Sequence, residues 1–117
     1  MGSTEETHLH EHIERIRVLN DEFRRTFLGG RVLLTAGVNA LPQEARIILL
    51  LKVQGFDTFD LSNDPYHEHD FLSVEMEGQA YFAKIDYYDL GMTAGSEDPS
   101  NPAKTIRVLT IMRADEY

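Results

Sequence analysis

The sequence predicts an α+β domain in which two helices pack on one face of a small, mainly antiparallel sheet of about four strands, in the order α-β-α-β-β-β. Three observations support it: helical spacing of apolar residues near the N-terminus, alternation around a glycine turn between residues 71 and 87, and a β-branched run near the C-terminus. The 117 residues suffice for one domain. We expect a flexible tail over residues 1–8 and a single globular domain over residues 9–117.

The first helix is predicted to begin at Leu9, because apolar residues recur from there at steps of three and four. Gly29 and Gly30 end it, since glycine adopts a left-handed cap without steric cost. Residues 31–35 then form a strand, and residues 36–39 form a turn. The apolar positions that define the helix are Leu9, Ile13, Ile16, Leu19, Phe23 and Phe27.

The second helix is predicted over residues 43–54, with Pro42 just before its first turn and Gly55 at its end. Five consecutive apolar residues, 47–51, lie inside it. Such a run predicts a helix that is buried on more than one side. A buried strand has the same pattern, but the length and the preceding PQEAR favour a helix.

A β-hairpin is predicted over residues 71–87, with its turn at Glu77-Gly78. On its first arm Leu72, Val74 and Met76 share one face, and on its second arm Tyr81, Ala83, Ile85 and Tyr87 share one face. Residues 90–103 form a polar loop. The last strand, residues 105–112, is apolar on both sides, which is typical of a central strand.

Composition excludes several classes of function. The chain has no cysteine, so disulfides, zinc–thiolate sites and thiol catalysis are excluded. No apolar run approaches the roughly 18–20 residues of a membrane span, and the N-terminal residues lack the features of a signal peptide. We therefore expect a cytoplasmic protein without a membrane partner.

The net charge of -9 is concentrated in one part of the chain. Residues 57–98 hold eleven acids and one base, Lys84, whereas residues 1–56 hold seven acids and seven bases. A negative field repels phosphates, so direct nucleic-acid binding is disfavoured, whereas a basic protein surface or a cation is favoured. The residues predicted to contact such a partner are Asp57, Asp60, Asp64, Glu68, Tyr87, Tyr88 and Asp89.

The stretch NDPYHEHDF, residues 63–71, holds the residues closest to a catalytic or metal pattern. His69, Asp70 and Asp86 offer an imidazole and two carboxylates, which suit a divalent metal such as Mn, Fe or Zn, or acid/base chemistry. Asp70 and Asp86 are each eight residues from Gly78, so we expect them nearly opposite each other. In the alternative interpretation Asp70 caps a turn, His69 bonds a backbone carbonyl, and Asp86 meets an arginine of the last strand.

Several strings together resemble a known group of small proteins: RVLLTAGVNAL, NDPYHEHDF, KIDYYD, GSEDPSNP and RVLTIMRADEY. They are similar to those of an uncharacterised proteobacterial family, a domain of unknown function whose genes are often on plasmids and other mobile elements, beside DNA-maintenance and antirestriction genes. The likeness runs from about Ile13 to the C-terminus. His67 and Leu72 stand where the family usually has glycine, whereas Glu68, His69, Asp70 and Phe71 match. The resemblance implies no activity and no catalytic residues.

Two functions are therefore predicted. The first is a small acidic, non-enzymatic binding module that engages a basic protein, for example as an inhibitor or antirestriction-like accessory of mobile elements. The alternative is a small metal-binding protein or metal-dependent enzyme that uses His69, Asp70 and Asp86. The first is favoured because the sequence holds no G-x-S-x-G nucleophile, no glycine-rich phosphate loop and no strong metal-ligand spacing. The sequence does not determine the oligomeric state.

Overall fold

A computed structural model describes residues 4–117 and has the predicted α+β fold. Its four strands form one mixed sheet in the order β1-β4-β3-β2, in which β1 is parallel to β4 and the other two pairs are antiparallel. The elements are α1 (Thr4–Thr26), β1 (Gly30–Leu34), α2 (Ala36–Asn39), α3 (Gln43–Gln54), β2 (Phe71–Met76), β3 (Gln79–Tyr88), β4 (Ile106–Arg113) and a final 3-10 turn (Ala114–Glu116).

Helix α1 begins at Thr4, so the predicted start at Leu9 is wrong, and residues 4–8 form its first turns. Residues 5–8 are exposed and show no apolar periodicity, but Glu5 and Glu6 in the first turn suit the positive end of the helix dipole. The predicted tail residues 1–3 lie outside the described part of the chain. Within the described helices, none is long and apolar enough to span a membrane.

The chain between β1 and α3 is more helical than predicted, because residues 36–39 form the single turn α2. The carboxylate of Glu116 lies at its start: Oε1 accepts a hydrogen bond from the Thr35 hydroxyl at 2.7 Å, and Oε2 accepts one from the Gly37 amide at 2.9 Å. A Cβ at Gly37 would meet Glu116 Oε1 at 2.6 Å. Glycine therefore allows the C-terminal residues to pack against α2.

The predicted hairpin is present, and Glu77 and Gly78 form its turn with φ of 52° and 77°. Both values are positive, as a type I′ turn requires. Because the turn has two residues, Phe71 pairs with Lys84 and the Ile85 amide donates to the Asp70 carbonyl at 2.8 Å. Asp70 thus faces Ile85, so Asp70 and Asp86 lie nearly opposite each other, as expected, with an offset of one residue.

The hydrophobic core lies between the helices and one face of the sheet. Leu49 and Val53 of α3 are fully buried there, beside Phe23 of α1. The remaining buried members are Val38, Leu72, Met76, Tyr81, Ala83, Ile85, Leu109 and Ile111. The strands thus contribute alternate residues to the core, as the hairpin pattern predicts.

Only one side of α3 is buried, which corrects the expectation drawn from its apolar run. Ile47, Ile48 and Leu51 remain 48%, 49% and 61% exposed. The helix packs on β2 and α1 through its other side, so these three residues form an apolar stripe on the surface.

The second face of the sheet carries an aromatic group. Tyr117 turns back from the C-terminus so that its ring centroid lies 6.0 Å from that of Phe71 and 5.7 Å from that of Phe82. The Phe71 and Phe82 rings are 5.1 Å apart on neighbouring strands. These contacts fix the C-terminal residue over the sheet, beside Lys84.

Candidate functional site

A cleft of about 380 Å³ opens beside Tyr117, and we call it the acidic cleft. Its walls come from the turn before β2, from the start of β2 and from the middle of β3. Two tyrosines at its rim, Tyr66 and Tyr117, are 73% and 75% exposed. The lining residues are Asn63, Pro65, Tyr66, Asp70, Phe71, Lys84, Ile85, Asp86 and Tyr117.

The carboxylate of Asp70 is electrostatically unfavourable in this position. Partial burial raises its pKa, and the neighbouring carboxylates of Glu68, Asp64 and Asp86 raise it further, while a hydrogen bond from its own backbone offsets this only in part. Among residues 4–117, no lysine, arginine or histidine forms an ion pair with Asp70. A cation that entered the cleft would therefore stabilise it.

Asp86 lies on the same cleft but already has a cationic neighbour. The Lys84 ammonium is 3.3 Å from Asp86 Oδ2 and 5.9 Å from the centre of the Tyr117 ring. The cationic neighbour of Asp86 is thus Lys84, which lies on the same strand, β3, and the predicted arginine of the last strand does not take this position. Both side chains are 38% exposed, so solvent screens this pair.

The stretch NDPYHEHDF forms an unusual loop because His67 and His69 both adopt positive φ, 61° and 56°. The loop packs on α1: the Arg17 guanidinium donates to the His67 carbonyl at 3.2 Å, and His69 Nδ1 lies 2.9 Å from Asp21 Oδ1. The His69 amide also donates to Asp64 Oδ1 at 3.1 Å. These contacts fix the residues that lead into Asp70.

The His69 ring is held on three sides. It stacks on Phe59 with the centroids 3.8 Å apart, and its Nε2 lies 3.4 Å from Asp64 Oδ2. Asp21, on the Nδ1 side, also accepts a hydrogen bond from the buried Arg24 guanidinium at 2.8 Å. Burial raises the Asp21 pKa, but the hydrogen bonds from His69 and Arg24 outweigh it, so the pKa lies below its ordinary value.

In this arrangement two of the three residues of the predicted metal or acid/base site already have side-chain partners. His69 is paired with Asp21 and Asp64, whereas Asp86 is paired with Lys84. Across residues 4–117, no group of three or more histidine, aspartate or glutamate side chains is placed to hold a metal ion. His69 therefore connects the loop to α1, which neither form of the sequence prediction included.

A second polar network links the same loop to the sheet. The Tyr87 hydroxyl donates to Glu68 Oε1 at 2.7 Å and accepts a hydrogen bond from the Asn20 amide at 2.8 Å. Asn20 is fully buried and also donates to the Glu68 carbonyl at 2.9 Å. Burial raises the pKa of Tyr87 and its hydrogen bond to Glu68 raises it further, so the hydroxyl stays protonated.

Arg107 completes this network from β4. Its Nε donates to Asn20 Oδ1 at 2.7 Å, another guanidinium nitrogen donates to the Pro99 carbonyl, and its Cζ lies 5.2 Å from the Tyr87 ring centre. Burial lowers its pKa, and the nearby Tyr87 and Glu68 oppose that shift. The network joins α1, the loop of residues 63–71 and the strands β3 and β4, and so stabilises the packing of these elements.

The residues predicted to contact a partner therefore divide into two groups. Asp64 is only 4% exposed, and Glu68 and Tyr87 are used in the internal network. Asp57 and Asp60 are exposed, although Asp60 also accepts hydrogen bonds from the Ser62 and Asn63 amides within its own turn. The other two residues are Tyr88 and Asp89. Tyr88 lines a second cleft of about 380 Å³ that also lies beside Tyr117. Asp89 accepts a hydrogen bond from the Thr93 amide and lines a third cleft, of about 350 Å³.

A serine, a histidine and an aspartate also meet where the 90–105 loop packs on α1. His12 Nε2 lies 3.1 Å from Asp98 Oδ1, and the Ser100 hydroxyl donates to that same oxygen at 2.5 Å. Ser100 is 3% exposed, and its hydroxyl, which donates to the carboxylate, also lies 3.3 Å from His12 Nδ1. This cluster therefore fastens the loop and offers no accessible nucleophile.

Sequence reasoning missed Tyr66 and Tyr117, the two most exposed aromatic residues of the acidic cleft. Tyr66 follows Asp64-Pro65 in a turn, and an aromatic residue in a polar turn is a usable signal of surface exposure. The position of Tyr117 depends on the chain turning back after β4, which no local pattern indicates.

Comparison with known proteins gives one match. The model of a family described as "Protein of unknown function (DUF3768)" matches residues 34–116. The match includes α2, α3, the strands β2 to β4 and nearly the whole acidic cleft, but it does not reach α1. The search of curated proteins and the search of solved structures found no match.

Proposed function

This chain belongs to the DUF3768 family of proteins of unknown function, and we propose that it is a non-enzymatic module that binds a basic protein segment in its acidic cleft. The single observation that carries the proposal is Asp70, a partly buried carboxylate that has other carboxylates nearby and lines a cleft rimmed by exposed tyrosines. Sites with perturbed ionisation in a cleft are frequently functional.

The chemistry of the lining suits an arginine or a lysine. A guanidinium between Asp70 and Asp86 would donate hydrogen bonds to carboxylates, and the faces of Tyr66 and Tyr117 would attract its positive charge. Tyrosine and arginine are also the residues that most often dominate protein interfaces. The cleft can thus supply both affinity and orientation for one basic side chain.

The position of Lys84 supports this assignment from within the chain. Its ammonium already lies between a carboxylate, Asp86, and the Tyr117 ring. The same surroundings are therefore compatible with an incoming cation. Asp70 lines the same cleft and has no ion-pair partner among residues 4–117, so it is the position at which an additional cation gains most.

The charge of the whole chain supports a basic partner at longer range. Eleven acids against one base between residues 57 and 98 produce a negative field around the cleft. Such a field speeds association with a positively charged protein and repels nucleic acid. An inhibitor or antirestriction-like accessory of mobile elements, acting in the cytoplasm, is one form of this proposal.

Affinity capture from a lysate of the source organism tests the proposal. We expect a basic protein to be retained at low salt and released at about 0.5 M salt, where the screening length is only a few ångströms. Asp70→Asn with Tyr66→Ser is expected to lose that protein. Glu77→Gln removes an exposed acid at the far end of β2 and is expected to retain it. Equal capture by both variants would contradict the proposal.

A further inference from the structure

Helix α3 has an apolar stripe on the surface, formed by Ile47, Ile48 and Leu51, which are each about half exposed. The three residues follow i, i+1 and i+4, so they lie on one side of the helix. The opposite side, with Leu49 and Val53, is buried in the core. Single exposed apolar residues are common, but three on one helix face form a contiguous surface that can pack against a partner.

The charges at the two ends of this stripe identify the kind of partner. Glu44 lies on the same side one turn before Ile48, and Lys52 lies one turn after it. If a second α3 packs antiparallel on the first about Ile48, each Glu44 meets the Lys52 of the other copy, four residues from the centre on either side. The stripe is thus complementary to itself, as a two-fold interface requires.

A basic partner, in contrast, fits this surface poorly. Helix α3 contains Glu44, Arg46 and Lys52, and so has one more positive than negative charge. The acidic excess of the chain lies in residues 57–98, outside this helix. A second copy therefore meets an apolar surface with balanced charges, where the net charge of -9 opposes association least.

We propose that the chain forms a two-fold dimer through antiparallel packing of α3 on α3 of a second copy, centred on Ile48. Antiparallel helices also place opposite ends of their dipoles side by side, which is favourable. The interface is small, so we expect a dissociation constant on the order of micromolar. Because α3 packs on the opposite face of the sheet from Tyr117, the acidic cleft stays accessible in this dimer.

Sedimentation equilibrium of the full chain tests the dimer, from about 5 to about 500 µM, which spans the expected dissociation constant. The wild-type chain is expected to approach the dimer mass at the upper end. Ile48→Glu is expected to remain a monomer, because it places two carboxylates at the centre of the interface. Leu61→Glu is the matched control, since Leu61 is 72% exposed outside the stripe, and it is expected to dimerise like the wild type.

Charge exchange tests the antiparallel geometry separately. Glu44→Lys and Lys52→Glu each turn two attractive contacts into repulsive ones and are expected to weaken the dimer by about tenfold. The double variant restores opposite charges and is expected to dimerise as the wild type does. A wild-type monomer over the whole range, or an Ile48→Glu dimer, would overturn the proposal. A double variant that stays weak would overturn the antiparallel packing.

Discussion

The network around Tyr87 gives the sharpest prediction for stability. Tyr87→Phe removes a hydroxyl that donates to the Glu68 carboxylate at 2.7 Å and accepts from Asn20 at 2.8 Å. A hydrogen bond to a charged group contributes about 1.5–3 kcal/mol and a neutral one about 1 kcal/mol. Asn20 keeps its hydrogen bond to the Glu68 carbonyl, and Glu68 and Tyr87 are partly exposed, so water replaces part of the loss. We therefore expect a loss of about 2 kcal/mol in the free energy of unfolding.

Urea unfolding and thermal unfolding at pH 7 measure this loss. For 117 residues, 1 kcal/mol corresponds to about 4 °C in Tm, so Tyr87→Phe is expected to lower Tm by about 8 °C. Tyr88→Phe is the matched control, because the neighbouring Tyr88 hydroxyl has no hydrogen bond within residues 4–117, and its change should stay within about 0.5 kcal/mol. Equal effects of the two variants would refute the assignment of Tyr87 to a structural network.

Three further predictions concern single substitutions. The folded-state pKa of Asp70 is raised, so its ionised form destabilises the fold at neutral pH. Asp70→Asn should therefore raise Tm at pH 7, and this gain should shrink as the pH falls through the raised pKa towards 3.8. A lower Tm of the variant at pH 7 would contradict this prediction. The pKa of Glu116 is lowered, chiefly by the hydrogen bond from the Thr35 hydroxyl. Glu116→Gln should therefore lower Tm above pH 4.5 and have no effect on Tm once the pH has fallen through that lowered pKa. A difference in Tm between variant and wild type that does not depend on pH would contradict this prediction. Gly30→Ala should lower the free energy of unfolding, measured in urea, by roughly 1–3 kcal/mol, because its Cβ would lie 2.5 Å from the Arg107 carbonyl oxygen. Gly91→Ala is the control and should be nearly neutral, because the nearest atom to its Cβ would be 3.7 Å away. Equal losses in the two variants would count against this packing at Gly30.

The elements of the fold could be predicted because each has a local signal. The bounds of α3 match the prediction, residues 43–54, since Pro42 and Gly55 mark its two ends. The hairpin follows from alternation and from Glu77-Gly78. The early start of helix α1 was not predicted because residues 5–8 are polar and exposed and therefore leave no apolar pattern in the sequence. The exposed stripe of α3 was missed because an apolar run does not reveal which side has a partner.

The site was less predictable because its contacts join distant parts of the chain. His69 and Asp21 are 48 residues apart, and Asn20 and Arg107 are 87 residues apart. No local spacing indicates such pairs, so the sequence grouped His69 with Asp70 and Asp86 by proximity along one hairpin. The excess of acids in residues 57–98 could be recognised from the composition, which predicted a basic partner. We now propose that this partner binds the residues that line the acidic cleft.

Titration of the protein with a short peptide that carries one arginine between neutral residues tests whether the acidic cleft binds a basic side chain. When the titration is followed by NMR, we expect saturable shifts confined to the cleft, at Asp70, Asp86 and Tyr66, with a dissociation constant on the order of 0.1–1 mM. The same peptide with glutamine in place of arginine should give no shifts, and Asp70→Asn should lose binding while remaining folded. Shifts that are absent, that spread over all exposed acids, or that persist unchanged in Asp70→Asn would contradict binding of a basic side chain in the acidic cleft.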